Sequence, residues 1–267
     1  RRQRQMCIRD RNYGDLNHKI NFVQSLRSSE DYIYKHVLNV AILSAIIAGQ
    51  MGFPVGRINL LVKSAILHDI GALKLQQLPD AEDLDDGTKE VVKKNTQETL
   101  DRYGDLDEEV LRLITQMQEL YTRESDAEIP AGLKESVNAN ILYVADAYDR
   151  MTAMKSFEEP TSEVKAVREL LADEERYNKK IVNALIHGIS ILYPGVCVEL
   201  SNGEKGLVIT ENEDNIFEPT VLDFRNNNLY DLSDPSVKQT VEIADVMKTM
   251  DNRIKLDKSL LEEYQAN

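Results

Sequence analysis

His36, His68, Asp69 and Asp146 are the residues of this chain best suited to a shared chemical task. Two imidazoles and two carboxylates are the nitrogen and oxygen donors that suit a divalent transition metal. A metal so held polarises phosphoryl oxygens and lowers the pKa of bound water. His68 and Asp69 are adjacent in Ala65-Ile66-Leu67-His68-Asp69-Ile70-Gly71, where an apolar helical run ends. Side by side at a helix end they can reach one cation, and Gly71 can take the left-handed conformation that turns the chain away. His36 sits in an equally apolar stretch upstream, and Asp146 lies in Val144-Ala145-Asp146-Ala147-Tyr148-Asp149. Taken singly, each histidine reads as a hydrogen-bonded core residue and the His-Asp pair as a capped helix end. The order His, His-Asp, Asp on three apolar helices favours a common metal site.

Helices must carry these residues. Leu16, Ile20, Val23 and Leu26 recur at helical spacing, and Ser28 and Ser29 break the run. Asp31 can cap the next helix, which carries His36 and is apolar nearly all round, so it belongs in the middle of a bundle. Arg57 to Asp69 is the next helix, with Leu60, Leu61, Ser64, Ala65 and Leu67 inward. An acidic loop, Pro79 to Gly87, precedes a helix from Thr88 to Tyr103 with Val91, Val92, Asn95, Thr99 and Leu100 on one side. Its carboxylates lack the spacing of a calcium loop. Further helices are expected over Asp107–Leu120, Leu133–Met154 (carrying Asp146), Thr161–Leu171 and Arg176–Ile189. After Pro194 the period changes to that of strands. Val196–Leu200 and Gly206–Thr210 are joined through Ser201-Asn202-Gly203-Glu204, a hairpin signal. Thr220–Phe224, Leu229–Leu232 and Gln239–Ile243 extend it into a small β unit.

The expected fold is therefore mainly α, a helical bundle over residues 15–192, followed by a β subdomain over 193–245 and a charged tail over 246–267. Residues 1–14 are set apart. Their basic run, Arg1-Arg2-Gln3-Arg4 with Arg9 and Arg11 beyond it, fits neither the acidic composition nor any apolar period. They read as non-native sequence or as a disordered basic tail, and the non-native reading implies an N-terminal segment missing upstream. The formal charge of −14 argues against nonspecific nucleic-acid binding and against an anionic membrane surface. The most apolar stretch, Val37 to Ala48, is too short to span a bilayer, so no membrane insertion is expected. Cys7 and Cys197 give no disulfide framework, and a cytoplasmic setting is expected.

At Asp31-Tyr32-Ile33-Tyr34-Lys35-His36, Leu67-His68-Asp69-Ile70-Gly71 and Ile141-Leu142-Tyr143-Val144-Ala145-Asp146 the chain resembles the HD superfamily of metal-dependent phosphohydrolases. Within it, the likeness is to HD-GYP domains, which hydrolyse cyclic di-GMP, and it runs from about Asp15 to about Ile243. The resemblance implies that His36, His68, Asp69 and Asp146 hold one divalent ion per chain (Mn, Fe or Zn), with Asp69 also the catalytic carboxylate. It implies a cyclic dinucleotide or other phosphoester ligand, with Lys74 and Lys155 the nearest candidates for phosphate contact. A homodimer or a signalling-protein partner fits the same reading.

The family's second metal is held by the shared Asp, here Asp69, and by three further histidines. Asn95, Met117 and Gln118 stand at those positions, and neither an amide nor a thioether matches imidazole as a ligand for a hard divalent ion. The Gly-Tyr-Pro signature is replaced by Arg123-Glu124-Ser125-Asp126-Ala127-Glu128-Ile129-Pro130, and Ala72 stands where the family has Lys. Two expectations result: a divergent one-metal phosphohydrolase with weak or altered phosphodiesterase activity, or a catalytically inactive relative acting as a regulatory or scaffolding module.

Overall fold

The structure, a computed structural model, describes residues 27, 31–75, 85–103, 106–123, 128–154 and 160–247. The expectations for residues 1–14, for a helix through Leu16–Leu26 and for Lys155 lie outside these, as do Pro79–Leu84 of the acidic loop and nearly all of the charged tail. The described residues divide into two compact units. One runs to Thr161 and resumes over Ala166–Ile189; the other takes Ser162–Lys165 and the chain from Ser190.

The first unit is helical. Its elements are α1 (Tyr32–Gln50), α2 (Val55–Leu67), a 3-10 turn (Ile70–Lys74), α3 (Asp86–Tyr103), α4 (Glu108–Tyr121), α5 (Ala131–Lys134), α6 (Val137–Thr152) and α8 (Lys179–Gly188). Between the last two, α7 (Glu163–Ala172) straddles the division between the units. α1 lies against α2, α6 and α8, which buries most of its apolar surface, while Tyr34, Leu38 and Ile42 remain exposed. Val40, Leu43, Ile47 and Ala48 are fully buried there. By length and composition α1 could cross a membrane, but half of its most apolar window is buried inside the unit. The stretch exceeds the expected Val37–Ala48 because the helix already starts at Tyr32.

Several expectations are corrected by local chemistry. The helix through Arg57 stops at Leu67, and Gly71 does not take a left-handed conformation; among the described glycines only Gly52, Gly195 and Gly203 have positive φ. Gly71 is needed for close approach instead. A Cβ there would lie 2.3 Å from both Thr96 N and Val92 O of α3, and the Gly71 N–H donates to Thr96 Oγ1 at 3.0 Å. On α3 the inward residues are Val92, Thr96 and Leu100, while Val91 is exposed. The helix expected over Leu133–Met154 is broken at Glu135–Ser136 into α5 and α6. Asn140 makes the break stable, donating its amide to the carbonyls of Leu133 and Ser136 at 3.0 and 2.9 Å.

The second unit is an antiparallel sheet of β1 (Cys197–Leu200), β2 (Lys205–Thr210), β3 (Thr220–Asp223), β4 (Leu229–Asp231) and β5 (Ile243–Val246), in the order β4-β3-β2-β1-β5. The Asn202-Gly203 hairpin forms with Cys197 opposite Leu207, and Gly203 supplies the positive φ of the turn. The final strand starts later than Gln239. Asp234 accepts from Ser236 N at 2.8 Å and caps a short helix, α9 (Pro235–Lys238), whose C-terminal cap is Gln239, so the strand begins only at Ile243.

Candidate metal centre

His36, His68, Asp69 and Asp146 come together from α1, the end of α2 and α6. One ligand atom from each lies within 4.8 Å of the other three, and all four residues are buried. The outer nitrogen of each imidazole is occupied. His36 Nδ1 is 2.7 Å from Asp149 Oδ2, and His68 Nδ1 donates to the Ala65 carbonyl at 2.6 Å. Both rings therefore turn Nε2 inward, where His36 Nε2 is 2.9 Å and His68 Nε2 is 3.3 Å from Asp146 Oδ1. Asp69 Oδ2 completes the group at 3.7 Å from His36 Nε2 and 3.6 Å from His68 Nε2.

This arrangement needs a proton or a metal ion between the inner nitrogens and the carboxylate. A carbonyl only accepts, so His68 Nδ1 carries a proton, and a neutral His68 would turn a bare Nε2 lone pair on the Asp146 carboxylate. That contact is repulsive unless a proton or a metal ion lies between them. Burial pushes the His68 pKa down, but the Asp69 charge and the hydrogen bond and charge of Asp146 outweigh it and leave it raised. Burial pushes Asp69 and Asp146 upward, and the imidazoles and Arg150 overcome this, holding both below the ordinary carboxylate range. Nitrogen and carboxylate donors with occupied outer nitrogens are what a Mn, Fe or Zn ion requires, so the residues fit the group.

Further side chains brace these four. Asp149 accepts from both guanidinium ends of the buried Arg27, at 2.7 and 2.6 Å, and from the Asn39 amide at 3.0 Å. Tyr32 stacks on the His36 ring with a centroid separation of 5.7 Å. Arg150 Nε is 2.9 Å from Asp146 Oδ2, and its Nη2 is 2.7 Å from Asp69 Oδ2. Sequence reasoning misses Asn39, Asp149 and Arg150, although spacing points to them. Asn39 is three residues after His36, and Asp149 and Arg150 are three and four after Asp146, positions that share a helix face.

The remaining expected site residues are used otherwise. Lys74 donates to the Asn95 carbonyl at 3.3 Å and pairs with Glu98 at 3.9 Å, so its bonds go to α3. Met117 is 1% exposed among the apolar residues of α4. The Gln118 amide donates to the His68 carbonyl at 2.9 Å and steadies the His68-Asp69 turn. Asn95 is half-buried, its carbonyl shared by Lys74 and Thr99.

Residues 33–151 match the family model described as HD domain. The chain is 22% identical, over 74% of its length and 49% of the relative's, to a Pseudomonas aeruginosa protein named cyclic di-GMP phosphodiesterase PA4108. It is 24% identical, over 83% of its length and 60% of the relative's, to cyclic di-GMP phosphodiesterase PdeB of Borreliella burgdorferi. The chain thus spans half to three-fifths of the length of these relatives.

Proposed function

We propose, from the match of residues 33–151 to the HD-domain model, that the chain is a member of the HD superfamily and that the four-residue cluster is a one-metal phosphohydrolase centre of the HD-GYP type, acting in cyclic di-GMP signalling. The observation that carries this reading is the pair of Nε2 atoms turned onto Asp146 Oδ1 with Asp69 Oδ2 beside them, a buried nitrogen and oxygen donor set that converges as the ligands of a divalent ion do. A divalent ion there supplies a Lewis acid for a phosphoryl oxygen and a water of lowered pKa. His36, His68, Asp69 and Asp146 hold it, and Asp149 and the Ala65 carbonyl fix the imidazole orientation. On this reading Asp69 also has the catalytic role, receiving a proton from water at the centre. The names of the two relatives support a cyclic dinucleotide as the phosphoester.

The second reading, an inactive regulatory or scaffolding module, draws on Met117 and Gln118. Both stand where a second metal's ligands are expected, yet one is packed in the core and the other braces His68. Assay of cyclic di-GMP and of bis-p-nitrophenyl phosphate with Mn2+ separates the readings. Mn2+-dependent turnover that is lost in Asp69→Asn is expected. A wild type that binds Mn2+ and cyclic di-GMP but hydrolyses neither substrate is the regulatory module.

A further inference from the structure

Arg150 lies one helical turn after Asp146 on α6, and its guanidinium is fixed from three sides. Nη2 is 2.7 Å from Asp69 Oδ2, Nε is 2.9 Å from Asp146 Oδ2, and Cζ lies 4.7 Å from the centre of the Tyr121 ring on α4. The side chain is 11% exposed, so solvent screens these bonds little. Asp69 Oδ2, the oxygen it holds, is also the one that faces His36 Nε2 and His68 Nε2 at 3.7 and 3.6 Å. One oxygen is therefore claimed twice, by the guanidinium and by the point on which the ligand atoms converge. A fixed positive charge one carboxylate away from a divalent ion repels it, and an oxygen already in a charge-assisted hydrogen bond has less charge to donate.

We propose that Arg150 is an internal competitor for the metal: its guanidinium and the divalent ion share Asp69 Oδ2, so the arginine sets how tightly the centre holds its ion. This rests on the reading of the cluster as a metal centre. Competition has a structural counterpart. The guanidinium neutralises carboxylates that would otherwise repel each other in the core, so the helical unit has a stable metal-free form. Loading then tracks the metal concentration, with the arginine tightening on Asp69 when the ion leaves and loosening when it returns. Tyr121 holds the guanidinium in place through either exchange.

Titration of the full chain with Mn2+ by calorimetry, in the wild type and in Arg150→Met, Arg150→Gln and Arg150→Lys, tests this. The two uncharged variants are expected to bind Mn2+ about tenfold or more tightly than the wild type, because a repelling charge is gone, and to melt lower without metal. Arg150→Lys, which keeps the charge, is expected to stay nearer the wild type. Uncharged variants that fold only with Mn2+ present are purified loaded and stripped with a chelator. Release at a higher chelator concentration than the wild type supports the competition, and release at a lower one overturns it. Equal or weaker Mn2+ binding in Arg150→Met and Arg150→Gln likewise overturns the role of Arg150 while leaving the metal centre standing. Absence of Mn2+ binding in the wild type and in every variant refutes the metal centre, and the competition with it.

Discussion

His36 Nδ1 lies 2.7 Å from Asp149 Oδ2, and the same carboxylate is gripped by both ends of the Arg27 guanidinium. Asp149 therefore turns Nε2 of His36 inward and keeps a buried arginine neutralised. These two tasks are read by two measurements. Asp149→Asn keeps an acceptor for the ring but removes the charge that faces Arg27, and it is expected to weaken Mn2+ binding by about 10–100-fold. Asp149→Asn and Asp149→Ala both leave Arg27 buried without its counter-charge and should each cost about 3–5 kcal/mol in chemical denaturation. Near wild-type stability in Asp149→Asn would mean that Arg27 does not depend on the charge.

Gly71→Ala is expected to destabilise the helical unit by about 1–3 kcal/mol, since overpacking forces a backbone shift. The new methyl would meet the α3 backbone at 2.3 Å, and backbone cannot swing aside as a side chain can. Urea denaturation measures it. A neutral substitution would show that α3 does not press on the His68-Asp69 turn. The metal affinity should fall too, because that turn carries two of the four ligand residues.

Gln118→Leu removes the donor to the His68 carbonyl. It should cost about 1–3 kcal/mol, the usual penalty for a buried carbonyl left without its bond, with a smaller fall in metal affinity. Gln118→Glu, which offers the carbonyl only an acceptor, should be at least as harmful. Thermal melts of both variants with and without Mn2+ check this, and a Gln118→Leu chain as stable as the wild type would remove Gln118 from the support of the site.

The raised His68 pKa gives the metal-free chain a pH signature. The group's folded value lies above its unfolded value near ~6.5. Its contribution to stability is fully present below that pH and is lost as pH rises through the folded value. The metal-free Tm should therefore fall as pH is raised from about 6 toward 8, through the His68 contribution. The metal needs the inner nitrogen unprotonated, so the stabilisation by Mn2+ should grow over the same window. Scanning calorimetry at stepped pH decides it, with His68→Asn as the variant in which the slope should vanish. A metal-free Tm that rises across this window contradicts the assignment.

Much of the helical unit is legible because amphipathic helices announce themselves by period, and α1 does so by being apolar on every face. The clustering of His36, His68, Asp69 and Asp146 is legible because these residues are costly to bury without a partner and sit in or at the end of apolar helices. What escapes is set by contacts distant in sequence. The need for Gly71 comes from α3 packing on the turn, which no local pattern encodes. The break at Glu135–Ser136 rests on one amide, Asn140, satisfying carbonyls four and seven residues earlier. The place of Gln118 and Lys74 in a motif suggests ligand or phosphate groups, but their hydrogen bonds go to backbone carbonyls of neighbouring segments. Arg150 comes after Asp146 at helical spacing, yet only the fold brings Asp69 to its other end.

The most direct measurement is the metal content of the full chain purified without chelator, and again after reconstitution with Mn2+ or Fe2+, by elemental analysis. The four convergent ligand atoms, with Met117 in the core and Gln118 bonded to His68, lead to one equivalent per chain, and to none in the double variant His36→Ala, His68→Ala. Two equivalents in the wild type, or none after reconstitution, would contradict a one-metal centre.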